Sequence, residues 1–148
     1  MTALGHRFYV VGIDMSIYRK ALWNEDVTVF HQTTDIVSNK KVVSWERYIY
    51  SNCFWKLQNK QTLGGTQIVL NPVYIVRVPD NQATEFHTVL GDIVVKGNVP
   101  EPDANDSEYP TTPTALMKLY GEDCFMVKSI TDNTKMKMTA HWLLRDTK

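Results

Sequence analysis

The chain has 148 residues, enough for one domain that buries a core without disulfide staples. Hydrophobic residues make up 43% and charged residues 22%, which excludes a globally disordered chain. Sixteen basic side chains balance sixteen acidic ones, so the chain lacks the overall charge of a nucleic-acid or membrane binder.

The charge is unevenly spread. Residues 98–123 hold Glu101, Asp103, Asp106, Glu108, Glu122 and Asp123 against Lys118, and residues 124–148 are net basic. Such polarity suits head-to-tail stacking of subunits, or a solvated acidic loop. Cys53 and Cys124 lie inside strand-like runs, which predicts two buried thiols in a reducing compartment rather than a disulfide. The apolar run Phe8-Tyr-Val-Val11 is too short for a signal-peptide core or a membrane span, so the expectation is synthesis and retention in a cytoplasm, or release by lysis.

In chain order, residues 1–25 form an N-terminal arm in which Phe8 to Ile13 suits a strand and Ser16 to Trp23 one or two helical turns. Asp26 to His31 alternates as a short strand, and residues 33–41 read as a polar connection. Val42 to Trp55 is the longest strand candidate. Strict alternation puts Trp45, Arg47, Ile49, Ser51, Cys53 and Trp55 on one face and Glu46, Tyr48, Tyr50, Asn52 and Phe54 on the other. With aromatics on both faces, it should be covered by a sheet interior on one side and by an arm, loop or neighbouring subunit on the other.

Residues 56–65 read as a polar, glycine-terminated mobile loop. Thr66 to Val78 is extended, with Pro72 marking a bulge or an edge. Gly91 to Gly97 brackets a four-residue strand, and residues 98–112, with three prolines among acidic residues, form an irregular acidic excursion. Thr112 as cap, Pro113 at the first helical position and Gly121 as stop predict a short helix over about 113–120. The C-terminal quarter reads as a hairpin: a strand over 124–131, a turn at Asp132-Asn133, and a return strand with Met138, Ala140, Trp142 and Leu144 on one face. The fold class is therefore mainly β: one domain over 1–148, a small antiparallel β-barrel or sandwich with one short helix and a C-terminal hairpin.

No catalytic motif is present: no nucleophile elbow, phosphate loop, dinucleotide fingerprint or zinc-protease signature. The four histidines are far apart in sequence. Cys53 with His31 or His141 is the pairing an enzyme reading would need, and its apolar neighbours argue for an inert thiol. Asp103, Asp106 and Glu108 lack the glycine and closing glutamate of a calcium loop. Lys40-Lys41 and Lys56 with Lys60, beside Tyr48, Tyr50 and Trp55, are what a small nucleic-acid-binding barrel would use. The expectation is a protein without catalytic residues, cofactor or metal, in which Tyr48, Tyr50, Phe54, Trp55, His141 and Trp142 serve packing or a subunit interface.

Asp26-Val-Thr-Val-Phe30, Ser44-Trp-Glu-Arg-Tyr-Ile49 ending in Cys53-Phe-Trp55, the run closing at Val78-Pro79, Gly91-Asp-Ile-Val-Val-Lys-Gly97 and the Phe125-to-Asn133 hairpin ending in His141-Trp142 together resemble the head-closure (stopper, or head-tail connector) proteins of the tailed-phage neck. The resemblance runs over residues 26–145. It implies a virion protein, made in the host cytoplasm, that assembles as a ring, hexameric or dodecameric. The ring would sit between the portal or adaptor and a tail terminator or tail tube protein, holding packaged double-stranded DNA by non-specific contact and touching no membrane. The segment Gln58, Asn59, Lys60, Gln61, Thr62, Leu63, Gly64 and Gly65 corresponds to a loop that in this family projects into the ring's channel. The arm 1–25 and the excursion 98–112 make this chain longer than compact members. A tail terminator or another neck or tail ring protein is the alternative within the same class.

Overall fold

The computed structural model describes residues 22–148; the side chains of residues 60–63 and 69–71 and everything about 1–21 lie outside that description, and with them most of the expected N-terminal arm. Among the described residues the fold is mainly β. Strands β1 (Glu25–Val37), β2 (Lys40–Gly64), β3 (Gln67–Pro79), β4 (Ile93–Lys96), β5 (Cys124–Met126), β6 (Ser129–Asn133) and β7 (His141–Arg145) accompany helix α1 (Pro113–Tyr120). They form one antiparallel sheet in the order β5-β4-β1-β2-β3-β7-β6.

The two edge strands are consecutive in the chain, and that curls the sheet into a barrel-like form. Val127 donates its N–H to Asp92 O (2.9 Å) and accepts from Gly91 N (2.9 Å), while Lys128 N donates to Arg145 O (2.8 Å). The segment 124–133 therefore bonds β4 on one side and β7 on the other. The enclosed face carries Val27, Val29, Tyr50, Cys53, Val76, Val78, Val94, Phe125, Val127 and Leu144, all buried, with Trp55, Tyr74, Phe86 and Trp142 packed around them.

A second cluster lies outside the barrel wall. Phe30, Trp45, Ile93, Val95 and Cys124 are covered by Leu116, Met117 and Tyr120 of α1 and by Val99 and Tyr109 of the excursion. The helix begins as its sequence dictates: Thr112 Oγ1 accepts from Ala115 N (3.1 Å) and Pro113 takes the first position. The excursion is pinned at both ends. Thr28 Oγ1 donates to Gly97 O (2.7 Å) and accepts from Val99 N (3.0 Å), and Trp45 Nε1 donates to Pro110 O (2.9 Å). Thus β2 is covered on both faces at this level, the outer cover coming from the chain's own excursion and helix.

Four sequence expectations need correction. The polar connection 33–41 is instead the end of a hairpin, because Ser38 (φ 53°) and Asn39 (φ 62°) take the two positive φ values of a type I′ turn and pull residues 33–37 into β1. The loop 56–65 is strand throughout 56–64, paired residue by residue with 67–75 across a turn whose Gly65 takes φ 66°. Polar composition there marks a solvated ribbon, since ladder hydrogen bonds do not depend on apolar side chains.

The strict alternation in β2 also fails. Between Val27↔Tyr50 and Glu25↔Cys53 the register shifts by one extra β2 residue, with Asn52 at φ 57°, so Tyr50 and Cys53 both face the core. Beyond this bulge the faces exchange, and Trp55 points inward while Phe54 points outward. In the terminal hairpin the expected strand 124–131 divides into β5, which pairs with β4, and β6, which pairs with β7. Asp132 and Asn133 are strand residues opposite Trp142 and His141, so the turn lies beyond them, and the return strand starts at His141, leaving exposed Met138 in the 134–140 connection. Asp132 does bond its own backbone as expected: its Oδ1 accepts from the Thr134 hydroxyl (2.6 Å) and N–H (2.9 Å), which holds the carboxyl below its ordinary range.

Candidate functional site

The distal part of the β2–β3 hairpin, the segment expected to act in a channel, is exposed at its described side chains. From Lys56↔Ile75 to Gly64↔Gln67 the two strands pair without a register break, a ribbon about 30 Å long at the usual rise of about 3.3 Å per residue. Lys56, Leu57, Gln58, Asn59, Gly64 and Gly65 are exposed, and Ile68 is 65% exposed; the side chains of Lys60, Gln61, Thr62 and Leu63 lie outside the description. β7 stops opposite Ile75, so β3 is an edge from Tyr74 to the turn.

That edge is managed residue by residue. The two-residue turn makes Gly64↔Gln67 a hydrogen-bonded pair, and counting back by alternation turns the N–H positions of Pro72 and Tyr74 away from β2. Pro72 has no N–H to leave unpaired, and the Tyr74 N–H donates to Asp146 Oδ1 (3.0 Å). Pro72 therefore marks an edge rather than a bulge. On β2, Gln82 similarly caps the edge at Ser51 through both its carbonyl (2.8 Å) and amide (2.6 Å).

At the other end of β2, residues 33–44 of the β1–β2 hairpin extend past β4 and expose Ile36 (78%), Val37 and Val42 beside Lys40 and Lys41. Below them is a polar rim. His31 Nδ1 meets Asp92 Oδ1 at 2.6 Å, and the buried Asp92 also accepts from Val89 N through Oδ2 (3.0 Å). Glu46 lies across from His31 and accepts from Tyr48 Oη at 2.6 Å; that hydrogen bond, then desolvation, pushes the Tyr48 phenol up to about 12. His87 sits against the Tyr48 ring at 5.4 Å. The acid–imidazole pair orients His31, but Cys53 bonds Ser51 O (3.8 Å), and burial pushes its thiol far up, holding it protonated. Burial does the same, less strongly, to Cys124, and both thiols are free.

The six aromatic candidates divide into three places. Tyr50, Trp55 and Trp142 line the interior: Tyr50 stacks on Phe86 (5.7 Å), Phe86 on Trp142 (4.3 Å), and Trp55 meets Tyr74 and Phe125. The Tyr50 hydroxyl, fully buried, accepts from His87 N (2.9 Å). Phe54 and His141 lie on the outer face, both against Trp23, and Arg77 covers the Phe54 ring at 4.7 Å. Tyr48 alone belongs to the rim. The candidates thus pack within the chain.

In the excursion, Asp103 Oδ1 and Asp106 Oδ1 accept from Asn105 N (2.9 Å) and Glu108 N (3.0 Å) in local turns. Among the described residues no group of three His, Cys, Asp or Glu side chains assembles with metal-binding geometry, and no helix is long and apolar enough to cross a membrane. Sequence reasoning missed the His31–Asp92 pair, whose members are 61 positions apart, and the Tyr48–Glu46 bond, for which strand spacing of two was the available signal.

Fold and surfaces define a mainly-β, barrel-like protein with two projecting β-ribbons and an externally packed helix. Residues 22–145 match a family of unknown function (DUF6751), and the chain belongs to that family. No curated protein and no solved structure matches it.

Proposed function

We propose that this chain is a structural protein of the tailed-phage neck that assembles as a ring between portal or adaptor and tail, closes the DNA-filled head and docks the tail. The observation that carries the reading is the β2–β3 ribbon. A two-stranded ribbon this long is marginal in water by itself, and at Lys56, Leu57, Gln58, Asn59 and Ile68 it carries exposed side chains. Such an element is supported by what it meets in an assembly, and it lies between the second and third strands, where the resemblance puts a channel element. The barrel-like body and the order of strands support the same reading.

The test is electron microscopy of lysates from a phage lacking this gene. Emptied heads beside complete free tails are the expected result. Heads that keep their DNA with tails attached, or malformed tails, would contradict head closure, malformed tails pointing to a tail ring protein.

A further inference from the structure

On the outer face at the base of the β2–β3 ribbon lies a groove of about 510 Å³ lined by Gln58, Val73, Ile75, Arg145 and Lys148 among others. The register Lys56↔Ile75↔Arg145 puts Lys56 and Arg145 on the same face, with Arg77 one diagonal step away. Among the described residues none of these cations joins an ion pair, the pairs being His31–Asp92, His87–Glu85 and Lys96–Glu25, and Arg77 rests on the Phe54 ring. Asp146, next to Arg145, turns to the Tyr74 N–H. Burial and then repulsion from Arg145 lower the Arg77 guanidinium's affinity for its proton.

The opposite charge lies elsewhere on the same neutral chain. Glu101, Asp103, Asp106 and Glu108 are exposed on the excursion, belong to none of those ion pairs, and are presented by pinned ends at Gly97–Val99 and Pro110. The excursion is held to β2 at Trp45 and Arg47, while the β2 residue that lines the groove is Gln58, roughly 35 Å further along the strand at about 3.3 Å per residue, and among the described residues no ion pair joins the two patches.

We propose that the acidic excursion of one copy docks in the basic groove of the next. The two patches are different surfaces, so the contact is heterologous and propagates head to tail, closing into a ring when the rotation permits. The occupant is an extended acidic peptide; the groove's apolar floor of Val73 and Ile75 receives Pro100 or Pro102 while its rim of cations takes the carboxylates. This rests on the ring reading above and names its subunit contact.

Because both native cysteines are buried, single cysteines report the contact: Asn105→Cys in the excursion and Thr147→Cys in the groove. Mixed under mild oxidation at about 20 mM salt, the two variants should form the mixed disulfide about tenfold over either homodisulfide, and the excess should fall at about 500 mM salt. Adding Lys56→Glu and Arg145→Glu to the groove variant should abolish the excess, and adding Asp103→Lys and Asp106→Lys to its partner should restore it, with unchanged melting confirming that each variant folds. A statistical distribution of disulfides, or one insensitive to charge reversal, overturns the proposal. So does loss of double-stranded DNA binding in the Lys56→Glu/Arg145→Glu variant with the disulfide ratio unchanged, which would assign the groove to a phosphate backbone. If the disulfide excess is absent while the gene-deleted phage still yields emptied heads, only this contact falls and the neck assignment stands.

Discussion

Strand β2 passes through two environments, and the contrast between them explains most of the molecule. Between Trp45 and Trp55 its inward side chains Tyr50, Cys53 and Trp55 enter the aromatic interior, and on the other face Trp45 is covered by the excursion and α1 and Phe54 by Trp23. From Lys56 to Gly64 it has a single partner strand and solvent on its described side chains. Backbone pairing is continuous in the outer half and broken once, by the bulge at Asn52, in the inner half. Burial differs, so stability should reside in the body and be nearly independent of the ribbon's side chains.

The largest effect that would break this contrast is in the interior. Phe125 contacts both Trp55 (5.6 Å) and Tyr74 (5.3 Å), and Phe125→Ala should cost about 4 kcal/mol in denaturant unfolding. Leu57→Ala, on the exposed ribbon, should stay within about 0.5 kcal/mol. Comparable losses would mean that the ribbon contributes to the fold. Next is the bulge at the junction. Asn52→Val puts a β-branched side chain at φ 57° and should cost about 1–2 kcal/mol, whereas Asn52→Gly should be tolerated. A neutral Asn52→Val would show that the face exchange does not depend on that backbone conformation.

The smallest effect concerns the rim. The Glu46 carboxylate raises the Tyr48 phenol to about 12, so the neutral phenol is favoured in the fold; this contribution is complete below about pH 10 and is lost as pH rises through about 12. In Glu46→Gln, phenolate absorbance of Tyr48 should appear closer to pH 10. No change would show that the Tyr48–Glu46 bond is not the cause.

Much of the body was legible in the sequence because its signals are local. Thr112, Pro113 and Gly121 bound the helix, Gly91 and Gly97 bracket β4, and Val27 and Val29 alternate with Thr28. The ribbons were not, because their strand character comes from a partner strand rather than from apolar periodicity. Ser38-Asn39 and Gly65-Thr66 were the turn signals that marked them. The bulge hid the faces of β2, since one extra residue reverses every later side chain and leaves no trace in composition. Of the candidate site, the turn at the end of residues 58–65 was legible from Gly64-Gly65; the aromatics Tyr50 and Trp55 read equally well as interface or core until the register placed them inside. The acidic excursion was visible as charge, but the basic groove was not, because Arg145 and Gln58 meet only through the β2–β3–β7 register.

On the neck reading proposed above, the body folds and the ribbon functions, and one variant separates the two. Gln58↔Val73 falls on a hydrogen-bonded pair, so Asn59–Pro72 can be replaced by Asn-Gly in a two-residue turn without changing the register of the body. The measurement is complementation of the gene-deleted phage by this shortened chain, with its melting transition recorded alongside. An unchanged melting temperature with heads that still empty is the predicted result. Full restoration of filled, tailed particles by the shortened chain would contradict the account.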